Sequence, residues 1–173
     1  LFYLSLKEKL CTMSQWNTLQ SKVYNTTSLK LQVAEWRKDN QKIVFTNGCF
    51  DLFHLGHVNY LAKARDLGSK LIIGLNTDAS VYRIKGPSRP VKDQKSRATI
   101  LAAMLFVDAV IFFDEETPID LITWVQPDFL VKGGDYTLEG VVGHEIVLEN
   151  GGEVKTIPFV EGYSSSKLIE KIT

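Results

Sequence analysis

The chain has 173 residues, 45% of them apolar, enough for one domain with a real core. Its twenty acidic and twenty basic residues cancel, which argues against a broad electrostatic surface for nucleic acid or an anionic membrane. Two cysteines, Cys11 and Cys49, suggest no disulfide or metal framework, and no apolar run approaches the ~20 residues of a membrane span, so a reduced, cytoplasmic setting is expected.

The opening Leu1 to Leu6 is apolar but too short, and too soon charged, for a secretory signal. Residues 1–27 are expected to be an N-terminal extension, partly disordered, followed by a single domain over 28–173. The residues before Met13 are expected to be upstream translation, an expression remnant or a loose tail. A helix is predicted over 28–38, then strands over 42–47, 70–76, 108–113, 128–132 and 153–159. Between them the pattern predicts helices near 57–66, 78–84, 94–106, 118–124 and 142–149, with a last helix over 165–172. Runs such as Leu71-Ile72-Ile73 and Ala109-Val110-Ile111 are continuously apolar, as in parallel strands buried on both faces. The alternation predicts an α/β fold, a Rossmann-like doubly wound sheet of about five parallel strands with helices on both faces.

In such a sheet ligands collect beyond the carboxyl ends of the strands. The chemistry-bearing residues fall there: 48–57, 76–78, 132–136 and 164–166 each follow a strand. The segment 85–91, with Gly86, Pro87 and Pro90, is long enough for a mobile lid.

The first stretch, Thr46-Asn47-Gly48-Cys49-Phe50-Asp51-Leu52-Phe53-His54-Leu55-Gly56-His57, joins a strand to a helix. Free backbone N–H groups and the helix dipole favour an anion there, and His54 and His57 bracket Gly56 so that both rings can lie beside one phosphate. Attack of a phosphomonoester on a triphosphate needs neither a protein nucleophile nor a general base. The attacker's second pKa is about 6, so it is already mostly ionised. What the protein must supply is alignment and charge stabilisation, which imidazole N–H groups and a lysine provide.

Gly48-Cys49-Phe50-Asp51 followed by His54-Leu55-Gly56-His57 resembles the HxGH signature of the cytidylyltransferase-like nucleotidyltransferases. The run from Phe45 to Ile172 is more closely similar to adenylyltransferase domains that make ADP-heptose for bacterial lipopolysaccharide. The matching pieces are Asn76-Thr77-Asp78-Ala79-Ser80, Lys85-Gly86-Pro87-Ser88-Arg89-Pro90-Val91, Lys132-Gly133-Gly134-Asp135-Tyr136, Asn150-Gly151-Gly152-Glu153-Val154 and Gly162-Tyr163-Ser164-Ser165-Ser166.

This resemblance implies transfer of AMP from ATP to a sugar 1-phosphate, with Mg²⁺ arriving on the triphosphate and no dedicated protein metal site. His54, His57, Lys85 and Lys132 would be catalytic. Asn47, Gly48, Cys49, Phe50, Gly56, Asn76, Asp78, Arg97, Gly133, Gly134 and Asp135 would bind the nucleotide. One or more of Ser164, Ser165 and Ser166 would hold the outer phosphates. A separate sugar kinase would supply the acceptor, and a homo-oligomer is expected. Two alternatives stay open: a CTP-dependent enzyme acting on glycerol 3-phosphate or a related alcohol, and a nucleotide-binding regulator without catalysis.

Each feature also has a plainer explanation. His54 and His57 with Cys49 lack the fourth ligand that a zinc site needs. Lys132-Gly133-Gly134-Asp135 alone would pass for a turn, and Lys85 for a solvated loop residue. Asp51 reads as a support for the turn, and Trp36 and Trp124 as core.

Overall fold

The computed structural model of the chain describes residues 14–134, 137–158, 160, 162–165 and 169. The strands are β1 (Val23–Tyr24), β2 (Ile43–Gly48), β3 (Lys70–Asn76), β4 (Ala109–Phe113), β5 (Phe129–Gly133) and β6 (Glu153–Ile157). All pair in parallel, in the order β1-β4-β3-β2-β5-β6. The chain steps outward from β2 to β3 and β4, then crosses back to place β5 on the other side of β2. The carboxyl ends of β2 and β5 therefore flank the point where strand order reverses, where such sheets bind ligands.

The helices are α1 (Gln15–Gln20), α2 (Thr26–Lys38), α3 (Leu55–Arg65), α4 (Asp78–Lys85), α5 (Gln94–Ala102), α6 (Ile119–Val125) and α7 (His144–Glu149). Side-chain alternation along the strands feeds two cores. Ile43, Phe45 and Ile72 pack with Leu29 and Val33 of α2 and Ile122 of α6 on one face. Val44, Leu71 and Ile73 pack with Leu61 of α3 and Leu101 of α5 on the other. Local signals set several helix starts. Asn25 and Ser28 form a reciprocal capping box, while Thr77 and Asp93 accept from the backbone N–H of Ser80 and Ser96.

Among the described residues the sheet has six strands where about five were expected. The extra one, β1, lies inside the stretch read as an extension and pairs Val23 with Val110 and Tyr24 with Ile111. Two residues are too few to show a period. Helix α3 begins at Leu55 rather than His57, with extended His54 as its N-cap. Helix α5 stops at Ala102, short of the predicted 106. The segment 1–13 and most of the predicted last helix lie outside the described residues. No helix among the described residues is long and apolar enough to cross a membrane.

Candidate active site

The carboxyl ends of β2, β3 and β5 open into a cleft of about 590 Å³, within the range of small-molecule sites. The turn leaving β2 forms one wall. Phe50 there has φ 45°, a left-handed conformation that is strained for a bulky residue. Burial of its ring against His57, centroids 5.3 Å apart, offsets that strain. Phe53 stacks on His57 as well, at 5.4 Å. His54 lies behind His57 with ring centroids 3.9 Å apart and planes 21° from parallel. Gly56 permits this stack, because a Cβ there would come within 3.0 Å of the His54 ring.

The stacked rings are held neutral. Burial, and secondarily the neighbouring His54, pushes the His57 pKa down to about 4, and burial lowers His54 as well. Nδ1 of each ring is buried without a hydrogen-bond partner among the described residues. A buried N–H left unpaired costs more than a bare lone pair, so the proton is assigned to Nε2. That tautomer makes each neutral ring a hydrogen-bond donor.

Lys132, near the end of β5, lines the cleft and donates from Nζ to Asn47 Oδ1 at 3.2 Å. Burial holds its pKa below the usual lysine range, with Cys49 acting weakly the other way. Lys85 lines the cleft from the end of α4, not from a loop. Asn47, Gly48, Cys49, Phe50, His57, Asn76, Gly133 and Ser165 complete the predicted residues found in the lining. Burial raises the Cys49 thiol pKa, and its Sγ lies 3.8 Å from Asn76 Oδ1.

Other predicted residues fall elsewhere. His54 and Gly56 stand behind His57 rather than in the lining. Arg97, expected at the nucleotide, is 1% exposed and absent from the lining. It donates to Cys49 O at 2.6 Å, Asp78 Oδ1 at 2.8 Å and Lys92 O at 3.1 Å. Its guanidinium braces the β2–α3 turn from inside, and the Asp78 carboxylate is engaged in that brace. Gly134 is buried beside β6, donating to Ile157 O. Ser164 is absent from the lining. Asp135 and Ser166 lie outside the described residues.

The lining also contains Glu116, Thr117 and Pro118, which sequence reasoning passed over although they follow β4 and obey the same strand-end rule. Val141 and Val142 carried no polar signal at all. Arg89 and Asp51 meet across 38 positions, a pairing that no local pattern reveals. Their contact alters the expected lid. Asp51 also accepts from the backbone N–H of Val91 and Lys92, each at 2.9 Å, so the segment after α4 is tied to the β2–α3 turn.

A stacked imidazole pair beside a strand-end cleft that Lys132 also lines marks a phosphate-handling α/β domain of the nucleotidyltransferase class. A cytidylyltransferase-like family model matches residues 45–171, and the chain belongs to that family. It is 55% identical over 152 residues to the bifunctional protein HldE of Citrifermentans bemidjiense, covering 88% of this chain and 31% of that protein. The bifunctional protein HldE of Koribacter versatilis is 52% identical over 152 residues, with the same coverage. The chain therefore spans about a third of the length of these curated relatives. Among solved structures, a lipopolysaccharide core biosynthesis protein from Thermoplasma volcanium is 28% identical. That match has a TM-score of 0.56 and covers 72% of this chain and 99% of the other. Pantothenate synthetase from Thermus thermophilus shares the fold at 18% identity, TM-score 0.54, over 85% of this chain and 67% of its own.

Proposed function

We propose that the chain transfers AMP from ATP to D-glycero-β-D-manno-heptose 1-phosphate, forming ADP-heptose for lipopolysaccharide core synthesis and releasing pyrophosphate. The observation that carries this reading is the stacked His54–His57 pair beside a cleft lined by Lys85 and Lys132. The identity to the bifunctional relatives, and the likeness to a lipopolysaccharide core biosynthesis protein, support the choice of sugar.

In the proposed reaction an acceptor phosphate oxygen forms the new bond to the α-phosphorus. The bond from that phosphorus to the α–β bridging oxygen breaks, and pyrophosphate leaves with the electron pair. No proton need move. The neutral His57 Nε2–H donates to a phosphoryl oxygen as negative charge shifts, and His54 holds the ring in place. Lys132 and Lys85 offset the charge of the phosphates. Desolvation makes these contacts stronger than in water.

Mg²⁺ would enter as the metal complex of ATP. The fit is to the phosphates, because the buried carboxylate at the cleft, Asp51, is taken up by three donor groups. No cluster of three or more His, Cys, Asp or Glu suited to a metal occurs among the described residues. The ion would supply charge neutralisation, and the protein alignment. A sugar kinase activity must make the acceptor, and assembly as a homo-oligomer belongs to the same proposal.

The deciding experiment incubates the protein with ATP or CTP and with heptose 1-phosphate or glycerol 3-phosphate, measuring pyrophosphate and product mass. ADP-heptose as the favoured product is expected. Preference for CTP with glycerol 3-phosphate would replace this reading, and nucleotide binding without pyrophosphate from any pair would make the chain a regulator.

A further inference from the structure

We infer that Arg89 is a further phosphate-binding group of the cleft and that Asp51 is the positioning residue that holds it there. The assignment of the bound chemistry rests on the proposed phosphoryl transfer; the placement rests on geometry alone. Arg89 lines the cleft with Lys85 and Lys132, yet its side chain is only 14% exposed. Its Nε donates to Asp51 Oδ2, and the Asp51 side chain is 1% exposed. A guanidinium carries five N–H donors, of which Nε has one. Among the described residues no other hydrogen bond of the Arg89 side chain accompanies this one, so its two terminal nitrogens keep their donors for a ligand.

Asp51 is built for holding rather than for proton transfer. Burial would raise its pKa, but donation from the Lys92 and Val91 amides and from Arg89 outweighs this and keeps the carboxyl below its usual range. The carboxylate receives three donor groups from one short segment, two of them backbone. Such a clamp fixes the guanidinium's direction before a ligand arrives. Preorganised donors of this kind cost little reordering on binding. The forked arrangement suits oxygens of a phosphate, whether from the triphosphate or from the acceptor.

The test is kinetic and separates those two sources. Steady-state pyrophosphate release is measured for the parent, Arg89→Ala, Arg89→Lys, Asp51→Asn and Arg89→Ala/Asp51→Asn, with whichever triphosphate and acceptor the protein turns over. Direct titration with ATP accompanies it. Arg89→Ala should raise KM for one phosphate-bearing substrate by about 10- to 100-fold, with Arg89→Lys between it and the parent. A weakened ATP titration assigns the contact to the triphosphate; a raised acceptor KM alone assigns it to the acceptor. Asp51→Asn should raise the same KM, and the double variant should be no worse than Arg89→Ala. Unchanged KM, kcat and ATP affinity in Arg89→Ala would overturn the proposal even if Asp51→Asn fails to fold. A changed acceptor in the substrate panel would revise the sugar and leave this result standing.

Discussion

The two ends of the sheet treat charge in opposite ways. At the amino ends, Asp108 accepts from Arg65 Nε at 3.0 Å, Lys70 Nζ at 3.3 Å and Leu71 N at 2.9 Å. Asp128 likewise takes Lys42 Nζ and Ile43 N, both at 2.8 Å. At the carboxyl ends Arg97 and Arg83 still pair with Asp78 and Asp114, but around the cleft lysines the balance is open. Lys132 meets the neutral Asn47 amide, and no ion pair among the described residues joins it or Lys85 to a carboxylate. Where donors and acceptors match, polar groups fix the fold. Where donors exceed acceptors in a cleft, the missing acceptor is a ligand. The Arg89–Asp51 pair stands between these regimes, part clamp and part free donor.

The largest effect should come from the unbalanced end. His57→Ala should lower kcat by about 100- to 1,000-fold, a loss of about 3–4 kcal/mol from the transition state. Stability in urea should change by no more than about 2 kcal/mol, since the ring leaves no broken hydrogen bond behind. The same residue predicts a pH signature. The unfolded imidazole takes a proton below its ordinary 6.5, but the folded one only near 4. Between those values the unfolded state binds more protons, so His57 leaves stability intact above 6.5 and erodes it as pH falls toward 4. Urea melts at several pH values should show a shallower acid slope in the variant. An identical slope and unchanged kcat would remove His57 from both accounts.

Asp108→Asn should invert the pattern. It weakens the acceptor for two partly buried cations and one backbone donor, and should cost about 1–3 kcal/mol of stability. The kcat of the folded fraction should stay within about twofold of the parent, because the network is at the opposite end of the strands. A large fall in kcat without loss of stability would show that the two ends are coupled, and the division between them would fail.

How much of this was legible in the sequence follows from the range of each signal. Strands β2 to β5 carry dense runs such as Ile43-Val44-Phe45, and these show in any window. Strand β1 has only Val23 and Tyr24 and becomes a strand through Val110 and Ile111, far along the chain. His54 hid the start of α3 because it caps without a side-chain hydrogen bond. Helix α5 looked longer because Met104, Leu105 and Phe106 continue the apolar pattern beyond its C-cap at Ala103. In the site, the strand-end rule found the histidine turn and Lys132. Arg97 came instead from the family resemblance; it lies within α5, and its guanidinium is engaged by Cys49 O and Asp78. Arg89 could be distinguished from Arg97 only once burial and partners were known.

The smallest effect should come from Ser165. Its hydroxyl lies in the cleft lining, where donation to a terminal phosphate is the proposed role. In the free protein that O–H is directed to Leu52 O at 3.3 Å, a long contact that a phosphate must outcompete. The gain is therefore the difference between a charged and a neutral acceptor, not a whole hydrogen bond. Ser165→Ala should weaken ATP binding by about fivefold, roughly 1 kcal/mol, with kcat nearly unchanged at saturation. An ATP affinity equal to the parent's would transfer the role to Ser164 or Ser166. A fall in kcat instead would mean that the hydroxyl acts on the moving phosphoryl group, on the same footing as His57.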